Sequence, residues 1–289
     1  MKENMLLFIL LLSSSYSLVY SLKCYTSLVP TILNYSVTSD TIPSFDNNKL
    51  IDVSGECTLT IIWLRNPSNT EIIFGYNSIT NKNNFLIDSL LANVQYQLEG
   101  DELTKRLSRD IQYKCQSSDE CNNGTVLKRI LNSIHLEEHF SGTFDSLIES
   151  NASFSNQSIN QCYFNQDSTH ACSPIDYLNC RRCQISMSIF PLLTNEICAT
   201  CPRITSEFNS IERDAIFIIN NRSQIIDRIQ LTCQKGKHCN SIENIYQIRL
   251  LSFIQFDFDQ FFLLSSSTHI DFSILLQIFL FLITFILIK

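Results

Sequence analysis

Runs of hydrophobic, β-branched and aromatic residues predict β-strands in both halves of the chain. In the first half, Cys57 to Leu64 and Ile72 to Tyr76 are such runs, and they are bounded by Asn and Pro. In the second half, the runs Ala215 to Ile219 and Ile225 to Cys233 are separated by the turn-forming pair Asn220-Asn221. This arrangement predicts a β-hairpin.

Helical periodicity follows the strands of the first half. Leu127, Ile130, Leu131 and Ile134 have the spacing i, i+3, i+4, i+7, which predicts an amphipathic helix that packs back on the sheet. In the second half we expect a corresponding, Phe-rich helix over about Asn244 to Phe262. The predicted fold class is α+β, with β-hairpins early in each half and a helix late.

The N-terminal segment is typical of a cleaved signal peptide. Lys2 precedes the apolar run Met5 to Leu12, and small or polar residues follow. A signal anchor or a core helix is the alternative, but eight apolar residues are too few to span a bilayer. We therefore expect a signal peptide over residues 1–21 and a mature chain that begins at Leu22.

The C-terminal segment favours attachment to a membrane. Residues 274–288 carry no charge, and a single Lys follows them. Upstream lie three serines and a polar spacer, which is the order found in a glycolipid-anchor signal. We expect lipid attachment at Ser265, a site and spacer over residues 265–273 and a tail over 274–289. A single-pass type I helix is the main alternative and a soluble core helix the lesser one, since a span needs about 20 apolar residues.

An internal repeat divides the chain. Residues 111–122 (IQYKCQSSDECN) and 229–240 (IQLTCQKGKHCN) match in register at both Cys and at the closing Asn. We infer two tandem cysteine-rich copies, residues 22–150 and 161–264, joined by a polar linker over 151–160.

The repeat assigns four of the twelve cysteines to the first copy and eight to the second. Behind a signal peptide the compartment is oxidising, which favours disulfides. The closing motif predicts the pairs Cys115–Cys121 and Cys233–Cys239, and the cysteines shared by the two copies then leave Cys24–Cys57 and Cys162–Cys183.

The four cysteines found only in the second copy allow three pairings, and their spacing also fits a metal site. They are Cys172, Cys180, Cys198 and Cys201. Cys180 and Cys183 form one CxxC pair, and Cys198 and Cys201 form another at nearly zinc-ribbon spacing. Zinc would leave Cys162 without its partner, and no βαβ pattern supports a redox role for Cys180 and Cys183. We therefore favour disulfides.

One further motif permits a catalytic interpretation. His135, Glu138 and His139 fit H-x-x-E-H, in which two His one helical turn apart bind zinc and the Glu acts as a base. The alternative is a set of solvent-facing residues at the end of the predicted helix. The motif is short and lacks a third ligand, so we predict no catalytic residue. Trp63 is expected in the core or at an interface.

Composition and charge exclude several classes of partner. The chain has only six Gly and no phosphate-binding loop, and its net charge of −7 includes no long basic run, so neither a nucleotide cofactor nor nucleic acid is expected. Asn66 is followed by Pro67 and is not a glycosylation site. The predicted N-glycosylation sites are Asn34, Asn123, Asn151, Asn156 and Asn221.

The closing sequences CQSSDECN and CQKGKHCN resemble the C-terminal signature of three-finger, urokinase-receptor-like domains. The opening Leu22-Lys23-Cys24-Tyr25 is similar to the start of such a domain. The resemblance implies disulfide roles for the closing Cys pairs, structural caps at Asn122 and Asn240, and protein–protein recognition without catalysis. The first copy departs from the family because it has only four Cys and because a helix follows the closing motif.

These features together predict a cell-surface glycoprotein on the extracellular side of the plasma membrane, which acts as a binding, adhesion or coat ectodomain. The membrane and an extracellular protein or glycan are the expected partners, and no cofactor is expected. The alternative is a single-pass receptor subunit, and a more distant one is a zinc peptidase or thiol oxidoreductase.

Overall fold

A computed structural model of the chain describes residues 21–65, 68–78, 87–99, 104–145, 162–163, 182–191, 195–201, 209–233 and 239–266. The described part is mostly β-sheet with few helices and several disulfides. The predicted signal peptide up to residue 20, the predicted linker and the predicted tail lie outside the described residues.

The elements are as follows. The strands are β1 (Leu22–Thr26), β2 (Thr31–Leu33), β3 (Lys49–Val53), β4 (Gly55–Arg65), β5 (Ser68–Ser78), β6 (Ser89–Glu99), β7 (Thr104–Cys115), β8 (Ile134–Glu138), β9 (Cys183–Ile189), β10 (Glu196–Thr200), β11 (Ser210–Ile218), β12 (Ser223–Cys233) and β13 (Ser252–Phe256). The helices are α1 (Gly124–Ser133), α2 (Ile242–Leu250) and α3 (Phe258–Ser266).

Nine of the described strands form one sheet in the order β10-β9-β12-β11-β6-β7-β4-β5-β2. The strands predicted near Cys57 and Ile72 fall in β4 and β5, and the predicted hairpin is confirmed as β11–β12. Strands from both predicted copies therefore lie in a single sheet, which is continuous where β6 pairs with β11. Two-stranded sheets, β1–β3 and β8–β13, complete the described strands.

One face of the sheet carries the hydrophobic core. In β4, Cys57, Leu59 and Ile61 are buried, whereas Thr58 and Thr60 between them are half-buried. Successive side chains of a strand point to opposite faces, so this alternation directs the apolar set to one side. Each fully buried Leu or Ile contributes about 1.5–3 kcal/mol to folding.

Helix α1 packs on this core through Leu127 and Ile130, as predicted. The helix begins after Asn123, whose side chain accepts a hydrogen bond from the backbone N–H of Val126. This N-cap satisfies one of the free N–H groups of the first turn. Ile134 has an extended backbone and is the first residue of β8 rather than part of the helix.

The single helix predicted over 244–262 is wrong, because a strand interrupts it. Ser252, Ile254 and Phe256 are buried, while Phe253 and Gln255 are exposed. This two-residue period suits a strand with one buried face, and β13 pairs with β8 along its whole length. Cross-strand pairing and burial of the alternate side chains thus prevail over the apolar content that favoured a helix.

Candidate functional site

Four disulfides of the described residues are the four pairs predicted from the repeat. They are Cys24–Cys57, Cys115–Cys121, Cys162–Cys183 and Cys233–Cys239. Cys57 lies opposite Cys115 in neighbouring strands, and Cys183 lies opposite Cys233 in the same way. Two disulfides therefore meet side by side at the end of a strand pair in each half of the sheet.

The described cysteines of the two CxxC pairs are in disulfides and so do not offer free thiolates to a zinc ion. Cys183 is bonded to Cys162, so it forms neither a zinc thiolate nor a redox pair with Cys180. Cys198 and Cys201 are also disulfide-bonded. Cys172 and Cys180 lie outside the described residues.

Asn122 forms a buried hydrogen-bond centre next to the first pair of disulfides. Its side-chain oxygen accepts from the N–H of Tyr25 at 2.9 Å, and its amide nitrogen donates to the carbonyls of Tyr25 (2.8 Å), Thr58 (2.9 Å) and Gly75 (3.2 Å). One side chain thus connects β1, β4 and β5. The resemblance implied a local cap, and the contacts extend across three strands.

Asn240 makes the matching contacts in the second half. It accepts from the N–H of Tyr163 at 2.8 Å and donates to the carbonyls of Tyr163 (2.7 Å) and Gln184 (3.1 Å). Both asparagines are fully buried. A buried amide is stable only when its polar atoms are hydrogen-bonded, and here the backbone supplies the partners.

The H-x-x-E-H motif lies at strand β8 and not on a helix. His135 and His139 are four residues apart in extended chain, a distance of about 13 Å, whereas the helical motif brings the two His to about 6 Å. Glu138 is buried and paired with two arginines. The three side chains therefore do not form the helical zinc site.

The predicted glycosylation sites differ in accessibility. Asn34 follows β2 and Asn221 lies in the β11–β12 turn, and both are exposed. Asn123 is half-buried at the start of α1. Asn151 and Asn156 lie outside the described residues. Ser265, the predicted lipidation site, falls in the last turn of α3.

A groove of about 460 Å³ lies beside the end of β4 and the adjacent part of β7. Its volume is in the range of small-molecule sites. Its lining includes the hydroxyl-bearing residues Ser36, Thr38, Ser39 and Ser68, together with Leu64 and Arg65 at the end of β4. The apolar residues that line it are Val37, Trp63, Leu107, Leu131, Ile134 and Leu136.

The walls of this groove are held by hydrogen bonds. The indole N–H of Trp63 donates to the carbonyl of Val37 at 3.1 Å. The N–H of Val37 donates to the hydroxyl of Thr70 at 3.0 Å, and that hydroxyl donates to the carbonyl of Tyr35 at 2.8 Å. The loop segment around Val37 is therefore fixed over β4 and β5, and α1 and β8 supply the opposite wall.

Two arginines line the groove, and one carboxylate beside it contacts both of them. Arg109 and Arg65 approach the same oxygen of Glu138, at 3.3 and 3.5 Å. The carboxylate is 3% exposed, whereas Arg65 is 69% exposed. The Nε atom of Arg109 is buried and has no hydrogen-bond partner. The site therefore has one positive charge in excess and an unused buried donor.

A smaller cavity of about 340 Å³ adjoins the groove, with Arg65 and Leu107 in common. The hydroxyl of Tyr96 donates to Asp145 at 2.5 Å, and Lys105 contacts the other carboxylate oxygen at 2.6 Å. Burial and the hydrogen bond to Asp145 raise the pKa of Tyr96 to about 12. Tyr96 therefore remains a neutral donor at physiological pH.

The other face of the sheet carries a row of polar side chains. Asn93 pairs across the strands with Asp110 on one side and with Asp214 on the other. Burial, together with the charges of Asp214 and Glu212, raises the pKa of Asp110 to about 6. Arg228 contacts Asp214 at 3.0 Å.

Sequence reasoning did not identify the groove. The sequence predicts a core or interface position for Trp63, and it places Glu138 only in the histidine motif. Arg65 and Arg109 have no motif around them. They are brought together by the β4–β7 register, in which Trp63 lies opposite Arg109, and this register is a property of the folded sheet.

Comparison with protein-family models, with curated proteins and with solved structures finds no match to this chain. Within the described residues, no helix is both long enough and apolar enough to cross a bilayer.

Proposed function

We propose that this protein is a membrane-anchored cell-surface glycoprotein whose disulfide-bonded ectodomain binds an extracellular protein or glycan, and that it is not an enzyme. The observation that carries the proposal is the set of disulfides, four of which have both partners in the described residues. Disulfides are consistent with an extracellular or secreted protein. The exposed positions of Asn34 and Asn221 support glycosylation there.

We further propose that the ectodomain consists of two α+β repeats that associate within one chain. The strand order β6-β7-β4-β5 on one side of the central pairing and β11-β12-β9-β10 on the other supports this proposal. The paired disulfides and the buried asparagines also recur. In each half a helix, α1 or α2, follows the closing Cys–Asn motif.

The contacts between the halves support the same interpretation. In the β6–β11 pairing Asn93 lies opposite Asp214, and in the β8–β13 pairing Leu136 lies opposite Ile254. In each case the two residues occupy matching positions of their halves, as in a two-fold symmetric interface between like subunits. The hydrogen bonds of Asn122 and Asn240 are compatible with the resemblance to three-finger domains, which remains a proposal.

The first experiment tests glycosylation and membrane attachment of the full chain in a eukaryotic secretory host. We expect glycosidase treatment to lower its mass, and we expect Asn34→Gln and Asn221→Gln each to remove one glycan. Asn66→Gln is the matched control, because Pro67 prevents glycosylation and no mass change should follow. A wild-type chain that carries no glycan and stays inside the cell would refute the proposed topology.

The second experiment separates the two modes of attachment. A phosphatidylinositol-specific phospholipase is expected to release the protein from intact cells, with a cell-surface protein known to have a transmembrane helix as the control. Retention on the membrane after complete digestion would replace the lipid anchor with the single-pass receptor alternative. Such a receptor would leave the binding role of the ectodomain unchanged.

A further inference from the structure

The groove combines an apolar interior with a cationic margin. Trp63, Leu131 and Leu136 are half-buried and line it, and each still presents apolar surface to the groove. Arg65 and Arg109 belong to the same lining. Apolar walls with a few polar groups that fix orientation are typical of small-molecule sites.

The charges and donors at this margin are incompletely matched. Glu138 is one carboxylate shared by two guanidinium groups, and both approach its Oε1 atom. The buried Nε of Arg109 has no acceptor. A buried donor without a partner is unfavourable. A ligand with a negative charge would balance this excess positive charge.

In the second half of the sheet, the side chain of Arg213 contacts the residues that correspond to part of the groove lining. At the offset that carries Cys115 to Cys233, the groove residues Arg109, Leu131 and Ile134 correspond to Asp227, Arg249 and Ser252.

All three of these corresponding residues contact Arg213. Its guanidinium donates to both carboxylate oxygens of Asp227, at 3.0 and 2.8 Å, and to the carbonyls of Arg249 and Ser252. The pair is largely buried. In the second half the protein thus satisfies its own charges, whereas in the first half Arg109 is left with an unused donor.

We propose that the groove binds a small amphiphilic monocarboxylate, such as a medium-chain fatty acid. Its carboxylate pairs with Arg109 and Arg65, and its hydrocarbon chain lies against Trp63, Leu131 and Leu136. Arginine is well suited to this role because its planar donors match a carboxylate in two-pronged geometry. This site is additional to the proposed surface role and does not depend on it.

The test uses Trp63, which is the only tryptophan of the chain and lines the groove. Its fluorescence therefore reports on this site without a label. The full chain is reconstituted in phosphatidylcholine vesicles and titrated with octanoate, and octanol serves as the uncharged probe of equal chain length. We expect octanoate to produce a saturable change in emission. Octanol has no carboxylate to pair with the arginines, so we expect it to bind at least about 10-fold more weakly, which corresponds to about 1.4 kcal/mol.

Two variants test the assigned contacts. Arg109→Gln is expected to weaken octanoate binding by about 10-fold or more and to leave the octanol response unchanged. Arg228→Gln is the matched control, since Arg228 lies in β12 and contacts Asp214 instead of the groove; this variant should bind octanoate as the wild type does. Leu131→Arg places in the groove the residue type found at the matching position of the second half, Arg249. It replaces an apolar wall with a charged side chain and should abolish octanoate binding, although Arg65 and Arg109 are still present.

Several outcomes would overturn the proposal. They are the absence of a saturable response to octanoate, equal responses to octanol and octanoate, or an unchanged octanoate affinity in Arg109→Gln. If Arg109→Gln is not secreted, Leu131→Arg and Arg65→Gln decide the question by the same titration. Binding of an acidic peptide, but not of octanoate, would assign the groove to a protein partner and reject the fatty-acid class.

Discussion

At the scale of single residues, buried polar side chains decide how the strands are held together. The Asn122 side chain is a substitute for backbone pairing, because it joins β1 to two strands that belong to a different sheet. Its amide is fully buried, so loss of the side chain would remove the hydrogen bonds of several backbone groups at once.

We therefore predict that Asn122→Ala lowers the free energy of unfolding by about 3 kcal/mol, since it removes the hydrogen-bond partner of the Tyr25 N–H and of nearby carbonyls. Urea unfolding in non-reducing buffer measures the change. Asn77→Ala is the control: Asn77 is exposed and its side-chain amide donates to the Glu56 side chain in an exposed contact, so a change below about 0.5 kcal/mol is expected. Equal effects of the two substitutions would contradict the structural role.

Asp110, unlike Asn122, is destabilised by its surroundings, because they disfavour its charged form. Burial and the neighbouring acidic side chains raise its pKa from 3.8 to about 6. Between these values the folded state binds more protons than the unfolded state, so stability falls as the pH rises through this window.

Asp110→Asn should consequently increase stability at pH 7.5 by about 2 kcal/mol and have little effect at pH 4, where the carboxyl is protonated in the folded state. Urea midpoints at the two pH values test this. Asp52→Asn, at an exposed position of β3, is the control and should change neither midpoint appreciably. A stabilisation that is the same at both pH values would rule out titration of Asp110 as its cause.

At the scale of elements, each strand pair that carries the disulfides is closed at the same end. Cys57 and Cys115 are cross-strand neighbours, but each is bonded to a cysteine elsewhere, at sequence separations of 33 and 6. The longer link attaches β1 to the sheet, whereas the shorter one closes only the loop before α1.

The lengths of the two closed loops predict different losses of stability when each disulfide is removed. In the chain-entropy model the Cys24–Cys57 bond contributes about 3.8 kcal/mol and the Cys115–Cys121 bond about 2.4 kcal/mol. Comparing the unfolding midpoints of the double variants C24A/C57A and C115A/C121A is a matched test, since both remove two buried sulfurs. A smaller loss for C24A/C57A than for C115A/C121A would show that local packing outweighs the entropy of the longer loop.

At the scale of the whole molecule, the two halves share one sheet. The β6–β11 pairing runs over the full length of β11, and Ala92 and Ala215, which lie opposite each other, are both fully buried. Asp88 adds a second link, since its N–H donates to the Asn220 side chain and its carbonyl accepts from the N–H of Ile219. We expect the halves to unfold together.

Ala215→Pro tests this cooperativity, because proline cannot donate to the ladder of a central strand and disrupts its pairing. Hydrogen exchange followed by mass spectrometry is expected to show lost protection in β6 and β7 as well as in β11 and β12. Glu243→Pro, in the first turn of α2 where proline is tolerated, is the control and should leave these strands protected. Lost protection in β11 and β12 alone would mean that the halves fold independently.

The sequence indicated more of the fold where its signal is local or repeated. The hairpin around Asn220 could be predicted because turn residues separate two β-branched runs, and α1 because Leu127 and Ile130 follow the helical period. The cysteine pairs could be predicted because the same spacing occurs twice. Strand β13 could not be predicted, since its five residues resemble the apolar helices on either side and only pairing with β8 gives them an extended form.

The sequence alone predicted four of the cysteine pairs and a helix after the first closing motif, and it suggested two related halves. The tertiary structure decided that both halves contribute to one sheet and that Arg65, Arg109 and Glu138 meet beside Trp63. The physical reason is that strand register and sheet continuity depend on contacts between distant segments. Such contacts leave no periodic pattern in either segment alone, and the groove exists only where these segments come together.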